Sequence, residues 1–366
     1  MRENRSKGKQ KSQKGGVKIL IAILLILVLV AGTLFIMKML KDKQNTEQTG
    51  NGNTIENGKK EEPKPKTFSG TGRLVAFMID NNINAMPQAG LEQSDLIYEI
   101  IVEGGETRLM IVMQDKDLKK IGPLRSARHY FLDYALENDA ILVHYGQSPQ
   151  AKSDITKLGV TDINGINESE TSFWRDNSRY APHNAVTSIA NLNKIIERKG
   201  FKTTSTKGNV LNYVVDEVEL GKTEDLKEGD TSKVKEATKV TIPYSVYNTV
   251  KYEYDAETKT YVRYSRDKKQ TDWNTKNTIT TKNIIITKCK NTTLDDGSGK
   301  GRQTLDNIKT LDGYYIPNGK SIPIKCEKSS RSGKTVYKDL EGNEIKVNDG
   351  KTFIQICPED SKISFE

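Results

Sequence analysis

Two arginines three positions apart, Arg125 and Arg128, are the residues of this sequence with the clearest potential for chemistry. They lie in the stretch GPLRSARHY, directly after a Gly-Pro pair that interrupts regular structure. Ser126 is a suitable helix N-cap. Apolar residues follow at helical spacing at Ala127, Phe131, Tyr134 and Ala135. We therefore predict a helix that begins after Ser126 and carries Arg128 in its first turn.

A cation in that position is unfavourable. The first turn of a helix already carries about half a positive charge from its unpaired N–H groups, so an arginine there costs a few tenths of a kcal/mol to about 1 kcal/mol unless a negative charge compensates it. Two sources of negative charge are possible. The first is an acid of the same chain, and the candidates are Asp80, Glu99, Glu103 and Asp133. The second is a bound phosphate or carboxylate, for which guanidinium groups and helix N–H groups are natural ligands.

Further polar residues in the same half of the chain favour a binding site. Arg108 follows two glycines that allow close approach of a ligand, and the segment RDNSRYAPHN has the composition of a functional loop. His144 ends an apolar run of the kind after which ligands bind in α/β folds. The predicted ligand-binding residues are Asp80, Glu103, Arg108, Arg125, Arg128, His144, Arg175, His183 and Asn184.

Diagnostic motifs of catalysis or cofactor binding are absent from the sequence. It contains no GxSxG, HExxH, Walker or GxGxxG pattern, and the glycine-rich GSGKG at 297–301 has no helix after it, so we interpret it as a hairpin loop. We predict no cofactor and no metal. Cys289, Cys326 and Cys357 each end an apolar β-like run, which indicates buried strand residues, with one disulfide and a free thiol as the alternative. Whether the protein is an enzyme stays open.

The positive charge of the chain is concentrated at its beginning. Residues 1–18 have a net charge of +6 and residues 38–43 of +2, which leaves about +1 of the total of +9 for the remainder. We therefore expect no nucleic-acid partner. Between the basic segments lie nineteen uncharged residues, Ile19 to Met37, which as a helix would span roughly 28 Å. This pattern predicts a single-pass plasma-membrane protein with a cytoplasmic basic tail (1–18), a transmembrane helix (19–37) and everything after it outside the cytoplasm.

The remaining sequence divides by composition. Residues 38–68 are polar and predict a flexible linker. Residues 69–215 alternate apolar strands with amphipathic helices, 216–239 form a charged junction, and 240–366 consist of β-like runs that include the hairpin signal Asn318-Gly319. We predict an α+β protein, with a mixed α/β first domain and a smaller, mainly antiparallel second β domain.

The stretch from MIDNNINAMPQAG to HYGQSP, followed by FWRDNSRYAPHNAVTS, resembles the amino-terminal domain of the YerB-like bacterial envelope proteins, a domain of unknown function (3048). The runs YVRYSRDKKQTDW and NEIKVNDGKTFIQICPED resemble the carboxy-terminal domain of that family. The resemblance implies an envelope protein and no established activity. Members of the family are commonly lipoproteins, whereas here Thr33 stands at the end of LVAGT, where a lipid-modified cysteine would be required.

The predicted function combines the resemblance with the charged residues. We expect a membrane-anchored extracytoplasmic protein that binds an anionic ligand of the cell envelope, or an envelope protein, through the Arg/His-rich site. The alternative is a hydrolase or transferase that acts on an anionic envelope glycopolymer, with the same arginines stabilising negative charge in the transition state.

Overall fold

A computed structural model describes residues 63–205, 207–221 and 234–366. Within these ranges the chain forms three α-helices: α1 (Phe131–Glu137), α2 (Pro149–Leu158) and α3 (Ile189–Lys199). Short 3₁₀ turns occur at Ile83–Ala85, Glu103–Gly105 and Gly165–Asn167. The predicted cytoplasmic tail, the predicted transmembrane helix 19–37 and most of the predicted linker lie outside the described residues.

Strands dominate the described part of the chain. They are β1 (Val75–Asp80), β2 (Leu96–Ile101), β3 (Thr107–Met113), β4 (Ile141–His144), β5 (Asp162–Asn164), β6 (Trp174–Arg175), β7 (Ala185–Val186), β8 (Tyr213–Val214), β9 (Lys235–Glu236), β10 (Lys239–Ser245), β11 (Asn248–Asp255), β12 (Thr260–Ser265), β13 (Lys268–Lys269), β14 (Thr280–Thr281), β15 (Asn283–Cys289), β16 (Asn291–Thr293), β17 (Gln303–Leu305), β18 (Thr310–Pro317), β19 (Lys320–Lys328), β20 (Thr335–Lys338), β21 (Val347–Asn348), β22 (Thr352–Pro358) and β23 (Ser364–Phe365).

One large sheet of eleven strands contains strands from both halves of the sequence. Its order is β20-β19-β18-β15-β22-β2-β3-β1-β4-β5, and β9 pairs with β19. The join between the halves is parallel: β22 lies between β2 and β15, with Leu96 and Asn283 both opposite Thr352. A second sheet of six strands has the order β13-β12-β11-β10-β23, with β14 on β12.

The predicted fold class is therefore wrong. The described residues are mostly strand, and the β-rich second half does not form a separate β domain, because β15, β18, β19 and β22 continue the sheet of the first half. The physical reason is visible in β2 and β22, which are buried at every position. Strands buried on both faces have no alternation that would identify their partners. Sequence patterns alone could not have paired them.

Apolar residues cover both faces of the large sheet. On one face, Met78, Tyr98 and Ile354 pack in a cluster with Phe131 of α1. On the other face, Phe77, Ile97 and Phe353 share a cluster with α3 and with the six-stranded sheet. Residues that are neighbours along one strand, such as Phe77 and Met78, thus belong to opposite layers, as the two-residue period of a strand requires.

The predicted helix after Ser126 begins later than expected. Its first residue is Phe131, and its cap, Tyr130, makes no side-chain capping bond. The N–H of Arg125 donates to the carbonyl oxygen of Met78 at 2.9 Å, and that of Ala127 donates to Gly146 at 2.9 Å. Because these N–H groups pair with neighbouring strands, residues 125–127 stay extended. Arg125 and Arg128 therefore do not occupy a helix N-terminus.

Other local features follow from residue types that are near one another in the sequence. Helix α2 has Ser148 as its N-cap, with its side chain accepting from the N–H of Ala151, and Pro149 in the first turn. Helix α3 ends at Gly200 in the left-handed conformation. Asn318 and Gly319 have φ angles of 47° and 78° and connect β18 to β19, as a hairpin turn with two left-handed residues requires. The three cysteines are buried in or beside strands and unpaired, which confirms the first of the two predicted alternatives.

Candidate functional site

Asp80, at the end of β1, holds two of the predicted site residues. Its Oδ2 accepts a hydrogen bond from His183 Nδ1 at 2.7 Å and lies 3.2 Å from Arg125 Nε. The Asp80 side chain is almost fully buried, whereas those of Arg125 and His183 are 29% and 18% exposed. The carboxylate therefore contacts two partly exposed basic groups, His183 through a hydrogen bond and Arg125 through an ion pair without a hydrogen bond. We call Asp80, Arg108, Arg125 and His183 the Asp80 site.

The outer atoms of these basic groups are free. Within the described residues, neither terminal nitrogen of Arg125 has a hydrogen-bond or ion-pair partner. The same holds, in that part of the chain, for His183 Nε2. Asp80 contacts Arg125 at Nε, through an ion pair without a hydrogen bond, so the two terminal NH₂ groups present a planar fork of donors. This is the geometry that binds a carboxylate or phosphate through two parallel hydrogen bonds.

Arg108 adds a buried positive charge behind this fork. It lies directly opposite Asp80 in the pairing of β1 with β3 and is 5% exposed. Its Nη1 donates to the carbonyl oxygen of Ser126 at 2.5 Å. Its Nε has no partner, and it forms no ion pair with any acid of the described residues. Burial and the nearby charges of Arg128 and Arg125 lower the pKa of Arg108 to about 10.

Arg128, in contrast, is neutralised inside the protein. Its Nε and Nη2 donate to the two carboxylate oxygens of Glu103, the second at 2.9 Å. Burial raises the pKa of Glu103, but the hydrogen bond from Arg128 and the charges of Arg128 and Arg108 outweigh burial and lower it. The negative charge that compensates Arg128 therefore comes from an acid of the same chain, the first of the two predicted sources.

Two of the acids considered as partners have other roles. Glu99 is fully buried and pairs with Arg263. Asp133 pairs with Arg331 at 2.6 Å and accepts from Asn307 at 3.0 Å. Only Asp80 and Glu103 remain beside Arg108, Arg125 and Arg128, so this cluster contains more cations than anions.

Three further predicted site residues, His144, Arg175 and Asn184, have partners inside the protein. His144 is fully buried, and both its ring nitrogens have partners, the Gly146 carbonyl at 2.8 Å and Asp162 at 3.0 Å. Arg175 donates to Asn184 Oδ1 at 3.0 Å and lies over the Tyr145 ring at 4.9 Å. The structure therefore provides no free group on His144, whereas Arg175 and Asn184 pair with each other.

A polar cavity of about 330 Å³ opens beside Arg128. Its lining includes Glu103, Ser126 and Ser148 from the first half of the chain and Lys300 and Arg302 from the hairpin between β16 and β17. Sequence reasoning missed Lys300 and Arg302. The signal was present in GSGKGR, which is glycine-rich and basic, and the hairpin interpretation of that segment is correct. The sequence does not indicate the surface against which this hairpin packs.

Comparison with known proteins agrees with the resemblance seen in the sequence. The N-terminal domain of the family described as "Protein of unknown function (DUF3048)" matches residues 61–202, and its C-terminal domain matches residues 240–354. "Putative lipoprotein YerB" of Bacillus subtilis (strain 168) is 29% identical over 298 residues, 78% of this chain and 82% of that protein. The crystal structure of YerB protein from Bacillus subtilis superposes with a TM-score of 0.68, covering 80% of this chain and 94% of the other.

The predicted single-pass localisation has to be corrected. The relative bears the name of a lipoprotein, a class held at the membrane by lipid chains. None of the helices in residues 63–205, 207–221 and 234–366 has the length and hydropathy of a membrane span. The prediction rested on one apolar run, and such a run by itself does not distinguish a permanent span from other apolar leader segments.

Proposed function

Since this chain belongs to the DUF3048 family of proteins of unknown function, we propose from its own chemistry that it binds an anionic ligand of the cell envelope through the Asp80 site. The envelope is suggested by the lipoprotein name of the relative. The observation that carries the proposal is the free edge of Arg125, whose terminal nitrogens have no partner in the described residues.

The arrangement suits an oxyanion for three reasons. Asp80 is an ion-pair partner of Arg125, 3.2 Å from Nε, which keeps the guanidinium at the site while its terminal N–H groups stay available to a ligand. With Nδ1 donating to Asp80, His183 Nε2 donates a hydrogen bond to an oxyanion when the ring carries its second proton. Arg108 contributes a buried positive charge that forms no ion pair within the described residues, in a poorly solvated position where its attraction for an anion is only weakly screened.

Calorimetric titration with inorganic phosphate at low ionic strength tests the proposal, with acetate as a carboxylate probe. We expect Arg125→Gln to weaken binding of the preferred probe at least tenfold, about 1.4 kcal/mol. Added salt should weaken wild-type binding, because the site is partly exposed.

Lys325→Gln is a matched control, since it also removes one positive charge. Lys325 is exposed and lies on β19, five strands from β3 in the large sheet, roughly 24 Å at about 4.8 Å per strand. Binding of the preferred probe that is unchanged by Arg125→Gln, or reduced equally by Lys325→Gln, would contradict the proposal. No binding of either probe by the wild type would do so as well.

A hydrolase is the second candidate, and the Asp80–His183 pair favours it. A buried carboxylate that fixes one ring nitrogen of a histidine leaves the other nitrogen available as a general base. His183 Nε2 would take a proton from water while the water oxygen forms a bond to the phosphorus atom of a phosphate group whose oxygens bind Arg125. The phosphorus–oxygen ester bond would break, and the leaving oxygen would receive the proton. Hydrolysis of a phosphate ester that disappears in His183→Ala, with phosphate binding retained, would establish this function. No hydrolysis by the wild type would exclude it for that ester.

A further inference from the structure

We propose that the cavity beside Arg128 is a second anion subsite, so that the ligand is a polymer with repeated phosphodiester groups. This inference rests on the proposed function, because it assigns the first anionic group to the Asp80 site. It extends that function by naming the class of ligand and a part of the chain, the β16–β17 hairpin, that contributes to recognition.

The lining of the cavity is cationic. Arg128, Lys300 and Arg302 face one carboxylate, that of Glu103. Arg128 is paired with Glu103 and Arg302 with Asp296, the latter at 2.5 Å. Lys300 has no ion-pair or hydrogen-bond partner for its ammonium group within the described residues. The cavity therefore contains one uncompensated positive charge.

The volume and the polar groups fit a phosphate and its ester substituents. About 330 Å³ lies at the lower end of the range for ligand sites. Lys300 supplies a mobile point charge, and the hydroxyl-bearing Ser126 and Ser148 line the same space. Arg302 is held by its ion pair with Asp296, and its other N–H groups remain available to bind a ligand.

Contacts between the two halves of the chain build the cavity. Asp296 accepts from Gln150 Nε2 of α2 at 3.0 Å, and His129 Nε2 lies 3.1 Å from Thr304 Oγ1 of β17. These contacts hold both ends of the hairpin loop against the first half. Gly299 and Gly301, with φ angles of 63° and 64°, flank Lys300. Their left-handed backbone turns the loop at the position where Lys300 reaches the cavity.

The two subsites lie close enough for one ligand. Arg125 of the Asp80 site and Arg128 of the cavity are three residues apart, a span of at most about 11 Å between their Cα atoms. Ser126 connects the subsites directly, because its carbonyl oxygen accepts from Arg108 at 2.5 Å and from Arg128 at 3.4 Å. A polymer whose anionic groups repeat over a few bonds can occupy both, and the second contact then forms intramolecularly.

The experiment compares inorganic phosphate with oligomers of glycerol phosphate of two and four units, titrated into the protein. We expect the tetramer to bind the wild type at least tenfold more tightly than phosphate. Lys300→Gln should remove most of that advantage and leave unchanged the phosphate binding that Arg125→Gln weakens, because Lys300 belongs only to the cavity. Lys325→Gln again serves as the charge-matched control.

The outcomes separate this inference from the proposed function. If Arg125→Gln weakens phosphate binding but Lys300→Gln leaves tetramer binding unchanged, the second subsite is refuted and the Asp80 site stands. If the tetramer binds no more tightly than phosphate, the polymer inference is likewise refuted. If Arg125→Gln has no effect on phosphate, the proposed function fails first. A peptide of glutamates that competes as well as the tetramer would overturn the assignment to phosphodiesters.

Discussion

Arg263 and Glu99 form an ion pair in which both side chains are completely buried. Arg263 comes from β12 of the six-stranded sheet and Glu99 from β2 of the large sheet, 164 positions apart in the sequence. Asn81 and Thr107 donate to the other carboxylate oxygen of Glu99 at 3.0 and 2.7 Å. The pair therefore joins the two sheets within a polar network whose charged groups are satisfied.

Removing one partner of this pair should be strongly destabilising. Arg263→Met leaves the Glu99 carboxylate buried without its counter-charge, and we expect a loss of about 3–5 kcal/mol in the free energy of unfolding, measured in urea. Lys251→Gln, which breaks an exposed pair with Asp267, should change stability by less than about 0.5 kcal/mol. The double variant Glu99→Gln/Arg263→Met should recover part of the loss. A loss below about 1 kcal/mol in Arg263→Met would show that the pair does not stabilise the contact between the sheets.

The same pair shows why the fold could be predicted only in part. Local signals account for the Asn318-Gly319 hairpin and for the residues that begin and end α2 and α3, because each depends on residues that are near in sequence. The contact between β2 and β22 depends on residues about 250 positions apart, and continuous apolar runs do not specify partners. No sequence signal connects Glu99 to Arg263. The sequence therefore presents Glu99 as one possible partner for the arginines at 125 and 128.

Arg108 and Lys328 provide a matched comparison of two buried cations. Lys328 is paired with buried Glu137 at 2.7 Å, whereas Arg108 has no acid partner in the described part of the chain. Lys328→Met should therefore cost about 3–5 kcal/mol. Arg108→Met should leave the unfolding free energy unchanged or raise it by about 1 kcal/mol, since a buried charge without an ion-pair partner in the described residues is removed.

The same Arg108→Met variant should bind phosphate more weakly than the wild type. Stability unchanged or higher together with weaker binding is the signature of a charge retained for a ligand. Equal destabilisation by Arg108→Met and Lys328→Met in urea unfolding would instead indicate that Arg108 is a structural residue.

The cysteines should be inert in the folded protein. Burial raises the pKa of each of Cys289, Cys326 and Cys357 to about 12. At pH 8 about one thiol in ten thousand is then ionised, and the thiolate is the reactive form. We expect no reaction with a disulfide reagent in native buffer and three equivalents in guanidinium chloride. Fewer than three equivalents in denaturant, restored by prior reduction, would reveal a disulfide and contradict the free thiols of the structure.

The candidate site was predicted better by residue type than by local structure. Asp80, Arg108, Arg125 and His183 do come together, although the helix N-terminus that first suggested an anion does not exist at Arg128. The cluster has more cations than anions because Asp80, opposite Arg108, also contacts Arg125 and His183, and because Glu99 pairs with Arg263. Lys300 and Arg302 escaped prediction, since a hairpin loop gives no local indication of the surface on which it docks.

The Glu103–Arg128 pair should make stability depend on pH in the acid range. The pKa of Glu103 lies below its ordinary value of 4.5 in the folded protein, so the unfolded chain binds the proton first as the pH falls. The stabilisation by the carboxylate is therefore complete above about pH 5 and is lost as the pH falls through the folded pKa. Glu103→Gln should accordingly lower the unfolding free energy more at pH 7 than at pH 3.

Asp312→Asn provides the control for this measurement, because Asp312 and Lys325 form an exposed pair. Its effect in urea unfolding should be small at both pH values, since water and salt screen an exposed pair. An effect of Glu103→Gln that is the same at pH 7 and pH 3 would mean that Arg128 does not stabilise the ionised carboxylate. The guanidinium would then be as available to a ligand in the cavity as Lys300, and the cavity would bind anions more strongly than its internal pairing implies.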